Sequence, residues 1–155
     1  PSQRGVLINM ATSTLIQFLG AGEGAETSHR AQVETLLAGG TIAKGDWLAF
    51  DVSKTSADKT LYVVTAPATA GRGNVAGVAL NAAVAGEKVE AVIGGYVKSA
   101  KVAAGTAANA SLTTSATAGT AVTYATGTHT GTGPCGVALA AESGGVCEAL
   151  VYSKF

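Results

Sequence analysis

Apolar and polar positions alternate most clearly near the middle of the chain, where Val89, Ala91 and Ile93 lie on one side and Lys88 and Glu90 on the other. A period of two puts successive side chains on opposite faces of a strand, so this segment reads as a strand with one buried and one wet face. Short β-branched or aromatic runs of the same kind occur at Trp47 to Val52, Thr60 to Thr65 and Val75 to Leu80, and Lys88 to Ile93 follows them. Turn-forming Gly, Asn, Ser, Asp and Lys separate them at the spacing of an all-β sandwich or barrel. A second series follows at Ser111 to Thr114, Ala121 to Ala125, Gly136 to Ala140 and Val146 to Tyr152. About eight strands are therefore available.

The two series resemble each other residue by residue. Gly77-Val78-Ala79-Leu80 recurs as Gly136-Val137-Ala138-Leu139, and Glu90-Ala91-Val92-Ile93 recurs as Glu148-Ala149-Leu150-Val151. Further back, Gly71-Arg72-Gly73 aligns with Gly131-Thr132-Gly133, Leu61-Tyr62-Val63 with Val122-Thr123-Tyr124, and Gly40 through Leu48 with Gly105 through Thr113. The offset falls from 65 to 61, 60, 59 and 58 along this series, as if loops had been trimmed in the second copy. Self-similarity of this kind exposes the architectural unit. The expected fold is all-β: an internally duplicated small β-barrel or sandwich body with an extended N-terminal arm. Its divisions are an arm at 1–37, a first β repeat at 38–98 and a second at 99–155.

The arm has no second copy. It carries apolar clusters at Val6-Leu7-Ile8 and Leu15-Ile16-Gln17-Phe18-Leu19, then a Gly-rich turn, then Ala25 to Leu37, which reads as a short helix with Ala31, Val33, Leu36 and Leu37 apolar. Leu7, Ile8, Leu15, Ile16 and Phe18 are the candidate partner-binding residues, because they cluster in a segment that has neither a repeat nor a strong period.

Composition narrows the function classes. The chain of 155 residues can bury roughly 68–70% of its unfolded surface without a metal or disulfide staple. Ten basic and ten acidic residues balance, which leaves no electrostatic footprint for nucleic acid or anionic lipid. Ala, Gly and Thr supply 31, 21 and 19 residues, a mixture that disfavours long helices and suits closely approaching strands. No run of about 20 apolar residues reads as a membrane span, and the N-terminal residues lack the pattern of a secretory signal. Synthesis in a host cytoplasm, with Cys135 and Cys147 reduced, is the expectation.

Candidate chemistry is sparse. Gly20-Ala21-Gly22-Glu23-Gly24-Ala25 satisfies the dinucleotide fingerprint in form, but that motif works at the edge of a parallel sheet with repeated strand–helix alternation, which this chain does not offer. The glycines of Gly71-Arg72-Gly73-Asn74 recur in the second copy and the arginine does not, so a turn is favoured over a phosphate cradle. Lys44-Gly45-Asp46-Trp47, aligned with Asn109-Ala110-Ser111-Leu112, reads as a turn entering a strand with Trp47 in the core. Cys135 aligns with Val75 or Ala76 and Cys147 with Val89, so both read as buried thiols in apolar positions. His29 and His129 have no Cys or His at ligand spacing, and no Ser or Thr sits in a nucleophile elbow. Glu90 and Glu148 recur and read as solvent-facing strand residues that discourage edge pairing. No catalytic, cofactor or metal residues are assigned.

The order Gly39 to Asp46 (Gly-Gly-Thr-Ile-Ala-Lys-Gly-Asp), a strand, Gly77 to Leu80, Ala85 to Val89 and Gly94 to Val97 resembles the small β-barrel capsid decoration, or cement, proteins of tailed bacteriophages. The likeness covers about 38 to 98 and, more loosely through the repeat, 103 to 155; the arm and the second copy depart from the simplest family pattern. The resemblance implies a non-enzymatic virion protein on the outer capsid surface, a homotrimer that bridges major capsid protein subunits. The alternative readings are a β-rich glycan- or receptor-binding module of a fibre or adhesin, and a nucleotide-dependent enzyme working through Gly20 to Ala25.

Overall fold

The computed structural model describes residues 31–66, 74–129 and 133–152. Among them are nine strands: β1 (Ala31–Ala38), β2 (Trp47–Phe50), β3 (Tyr62–Thr65), β4 (Val75–Ala79), β5 (Lys88–Lys101), β6 (Ser111–Thr114), β7 (Ala121–Thr123), β8 (Gly136–Ala138) and β9 (Val146–Val151). One four-residue helix, α1 (Asp58–Leu61), interrupts the connection between β2 and β3. The chain is all-β, as its alternation and small-residue composition predict.

Five strands close on themselves in the order β1-β3-β2-β4-β5, and β5 returns to β1. The closing contact is long and antiparallel, from Ala31 opposite Gly95 to Leu37 opposite Lys88. On its other side β1 pairs with β3 in parallel, Leu37 opposite Tyr62 and Ala38 opposite Val63. The interior holds Leu36, Ala38, Ile42, Leu48, Val63, Ala79, Val89, Ala91 and Ile93.

The ladder continues through the far end of β5 in the order β5-β9-β8-β6-β7. A parallel bridge between Val102 and Ala121 brings β7 back to the residue following β5. Pairings in this half follow those of the first. Val78 lies opposite Val92 and Ala79 opposite Ala91; Val137 lies opposite Leu150 and Ala138 opposite Ala149. Leu80 N–H donates to the Glu90 carbonyl and Leu139 N–H to the Glu148 carbonyl, each at 2.8 Å. Leu48 faces Gly77 as Leu112 faces Gly136.

Those two glycines answer a steric demand. A β-carbon at Gly136 would lie 2.6 Å from the Leu150 carbonyl oxygen, and one at Gly77 would run into the Val92 carbonyl oxygen, the matching atom of the other half. Only glycine lets these strands approach so closely.

Three details differ from the sequence reading. Residues 31–38 are a strand rather than the end of a helix: the apolar spacing of Ala31, Val33, Leu36 and Leu37 is overridden by two ladders that need β1 as a wall. The β body thus starts within the segment read as the arm. Second, Leu61-Tyr62-Val63 does not correspond to Val122-Thr123-Tyr124; Val63, Val64 and Thr65 pair with β2 as Ala121, Val122 and Thr123 pair with β6. Third, Leu48 matches Leu112 in its pairing, so Ser111 rather than Leu112 stands where Trp47 stands, one residue from the register read in the sequence. The shortening of the second half falls between β6 and β7, where residues 115–120 replace the longer α1-bearing connection.

Candidate functional site

The outward face of β2, β4 and β5 carries a row of apolar side chains in direct register: Trp47 opposite Val78, and Val78 opposite Val92. In most small barrels such a row would be wet; here Trp47 and Val78 are 0% exposed and Val92 is 1%. The second half covers them. The three belong to one buried cluster with Val97, Val102, Leu112, Ala121, Cys135, Ala138, Cys147, Ala149 and Val151.

Polar contacts fix this junction. Trp47 Nε1 donates to the Lys101 carbonyl at 3.0 Å. Trp47 N–H donates to the Gly119 carbonyl at 2.9 Å, and Gly119 N–H to that of Ala66 at 3.0 Å, so the turn between β6 and β7 clips onto the first half. Asp46, itself buried, accepts the Lys101 ammonium at 2.6 Å through Oδ1 and the Ala43 amide at 2.8 Å through Oδ2. Gly119 (φ +75°) sits against this carboxylate, with an added β-carbon placed 2.7 Å from Asp46 Oδ1. A buried carboxylate with a cation and an amide is satisfied as a structural tie. Lys44-Gly45-Asp46-Trp47 is accordingly a turn, with Gly45 N–H donating to the Ala79 carbonyl at 2.8 Å and the Gly45 carbonyl accepting from Lys101 N–H at 2.9 Å.

The matching row of the second half is Ser111 opposite Val137, and Val137 opposite Leu150, with Tyr96 of β5 opposite Leu150 on the other side. These four are only half-buried. Leu139, whose counterpart Leu80 packs on the junction, is 45% exposed. Tyr96 donates its hydroxyl to Glu148 Oε1 at 2.8 Å, which holds the ring across this surface. Residue-by-residue reading of the sequence missed this outward face. The signal was there: outward positions that are apolar in both series of strands, at Val78 and Val137 and at Val92 and Leu150.

Other residues singled out from the sequence do not converge. Leu7, Ile8, Leu15, Ile16, Phe18, His29 and Gly20 to Ala25 lie outside the described residues, as do Gly71, Arg72, Gly73, Gly131 and Thr132. Asn74 Nδ2 donates to the Phe50 carbonyl at 3.1 Å. His129 is buried, with its Nδ1 2.8 Å from the Ala125 amide nitrogen and 3.2 Å from the Ala125 carbonyl oxygen; its ring centroid is 5.6 Å from that of Tyr124. Cys135 and Cys147 are buried; the Cys135 thiol donates to the Leu112 carbonyl at 3.4 Å, and burial pushes the Cys147 thiol up, with Glu148 and Glu142 adding to it. Glu90 and Glu148 face solvent. Among the described residues no three His, Cys, Asp or Glu side chains gather as a metal site. Among the described residues, one shallow cleft of about 210 Å³ is edged by Lys44, Leu80, Lys98 and Ser99 and another by Thr41, Val84 and Glu87.

Solved structures share this fold. The head fiber gp8.5 N base in bacteriophage phi29 superposes with a TM-score of 0.55 at 18% identity, covering 79% of this chain and 93% of that one. No protein-family model matches the chain, and no curated protein does. The likeness is one of fold, and it spans nearly the whole of the phi29 fiber base.

Proposed function

We propose that this chain is a structural protein of a bacteriophage virion, carried on the outside of the head, where it self-associates, as a trimer, and bridges major capsid protein subunits. The observation that carries the reading is the fold shared with a phage head fiber base over 93% of that base. It is supported by a body held together by apolar burial and glycine-mediated strand contact, and by the resemblance of Gly39 to Val97 to capsid decoration proteins. Work of this kind is surface burial rather than chemistry, and the chain is read as no enzyme. Leu7, Ile8, Leu15, Ile16 and Phe18 are the proposed anchor, and their partner is the capsid shell. Burying five such side chains contributes several kcal/mol at roughly 1.5–3 kcal/mol each, before the ordering cost is subtracted.

The experiment is co-sedimentation and negative-stain imaging of the purified protein with undecorated heads. The full chain with all five residues replaced by Ser should keep its β circular dichroism and lose the heads. Binding that rests on apolar burial should persist in high salt. Wild-type protein that never decorates heads refutes the reading. The phi29 neighbour itself favours a second reading, in which this chain roots a fiber on the head rather than cementing subunits. Sparse projections on decorated heads would select the fiber role, and a uniform coat the cement role.

A further inference from the structure

β1 has two edges, and only one is used along its length. On one side it pairs with β5 from Ala31 to Leu37. On the other, β3 meets it only at Leu37 and Ala38, because the residues before Tyr62 turn into α1 instead of continuing the ladder. Ala38 N–H donates to the Glu87 carbonyl and Gly86 N–H to the Ala38 carbonyl, each at 2.8 Å, so the even-numbered residues of β1 turn their backbone groups toward β5. Ala31, Val33 and Thr35 turn theirs the other way. Among the described residues nothing hydrogen-bonds to them on that edge. Gln32 to Thr35 are all exposed, Val33 at 45%, and Glu34 is the one charged residue of the strand. An open edge of this kind is a template for another strand.

We propose that the outer edge of β1 pairs with the same edge of a second copy of this chain, antiparallel and about a two-fold axis at Val33. The register follows from the edge itself. With Val33 opposite its own copy, Ala31 lies opposite Thr35, and every outward backbone group from Ala31 to Thr35 meets a partner. Gln32 then stands opposite Glu34, an amide donor against a carboxylate, once on each side of the axis. Centring the pair on Glu34 instead sets like charges against each other and brings Ala31 opposite Leu37, which β3 already holds. Centring it on Thr35 puts Val33 opposite that same occupied residue, and a shift the other way carries Thr35 past Ala31. The edge is self-complementary in one register, as a two-fold interface requires, and this is why a second copy is its occupant. Being two-fold, the contact is not the trimer contact of the virion reading: it joins copies that belong to different trimers, and it does not rest on that reading.

Cysteine cross-linking tests the axis. The α-carbons of a hydrogen-bonded antiparallel pair lie about 5.5 Å apart, within disulfide reach. Val33→Cys should therefore give a disulfide-linked dimer on mild oxidation, read by denaturing electrophoresis, whatever larger assembly the native chain forms. Val52→Cys, at a position 60% exposed, is the control and should stay monomeric on the gel; Cys135 and Cys147 are buried and do not compete. No dimer from Val33→Cys, or as much from Val52→Cys, overturns the proposal. Sedimentation velocity on chains that keep Val33 tests the register. Gln32→Glu sets a carboxylate against Glu34 on both sides of the axis and should weaken the pairing several-fold, while Gln32→Lys should tighten it several-fold. Gln32 is exposed, so both variants should keep the β circular dichroism of wild type. Affinities that do not move, or that move in the opposite sense, overturn the contact. A wild type that pairs through β1 and leaves heads bare refutes only the virion reading.

Discussion

The indole Nε1 of Trp47 and the backbone carbonyl of Lys101, 54 residues apart, meet at 3.0 Å across the seam between the two halves. The same lysine reaches back with its ammonium to Asp46, the residue before the tryptophan. One side chain thus fills the seam, and its neighbour holds the charge that closes it.

Replacing Trp47 with Ala should cost about 3–5 kcal/mol, as for a large aromatic removed from a sealed core. Trp47→Phe should cost less, about 1–3 kcal/mol, because it keeps most of the volume and loses the bond to Lys101. Urea unfolding followed by circular dichroism measures both. A loss under about 1 kcal/mol for the Ala variant would show that the seam is not packed as described.

Gly77→Ala and Gly136→Ala should each destabilise by about 1–3 kcal/mol, since the added methyl meets a backbone carbonyl that cannot move without opening the ladder. Gly40→Ala is the control: nothing lies within 4 Å of its β-carbon position, and its effect should stay within about 0.5 kcal/mol. Thermal melts of the three proteins decide it. Equal losses at all three sites would contradict the steric account.

The Glu142 carboxylate accepts the Gly145 amide at 2.7 Å and the Gly105 amide at 3.2 Å. These bonds, Gly145 first, hold its carboxyl below the usual glutamate range. A group lowered in the folded state contributes stability that is complete above its unfolded value and is lost as pH falls through the folded one. Wild type should therefore lose stability on acidification below the ordinary glutamate range, and Glu142→Gln should lose less over that interval. Parallel pH profiles for the two proteins would remove Glu142 as a contributor.

Cys135→Ala and Cys147→Val should each cost no more than roughly 1.5 kcal/mol, because both thiols occupy apolar interior positions. Alkylation of the native protein should be slow, with the Cys147 thiol both buried and pushed up by that burial. Rapid labelling of either cysteine without denaturant would count against the packing.

Legibility followed chemistry. Gly77 to Leu80 and Gly136 to Leu139 could be matched in the sequence because the same close strand approach demands the same small residues in both halves. β3 and β7 could not be aligned correctly, since Val63, Val64 and Thr65 against Ala121, Val122 and Thr123 share little beyond strand-forming character, and the length change lies just before them. β1 was hidden for a different reason. Its Gln32 to Thr35 are all exposed, so no alternation marks them; only pairing with β5 makes them a strand. The core role of Trp47 was readable from its place at a strand start, but its partner Lys101 was not, because nothing local to either residue encodes a contact across half the chain.

Strand β5 runs for 14 residues and serves as a wall of both rings, pairing with β1 and β4 through its first part and with β9 through its second. Neither ring can be lifted from the other without removing one of its own walls. Heat or denaturant accordingly meets a single cooperative body, which should melt in one transition with equal calorimetric and van't Hoff enthalpies, and a protease that nicks β5 would dismantle both halves at once.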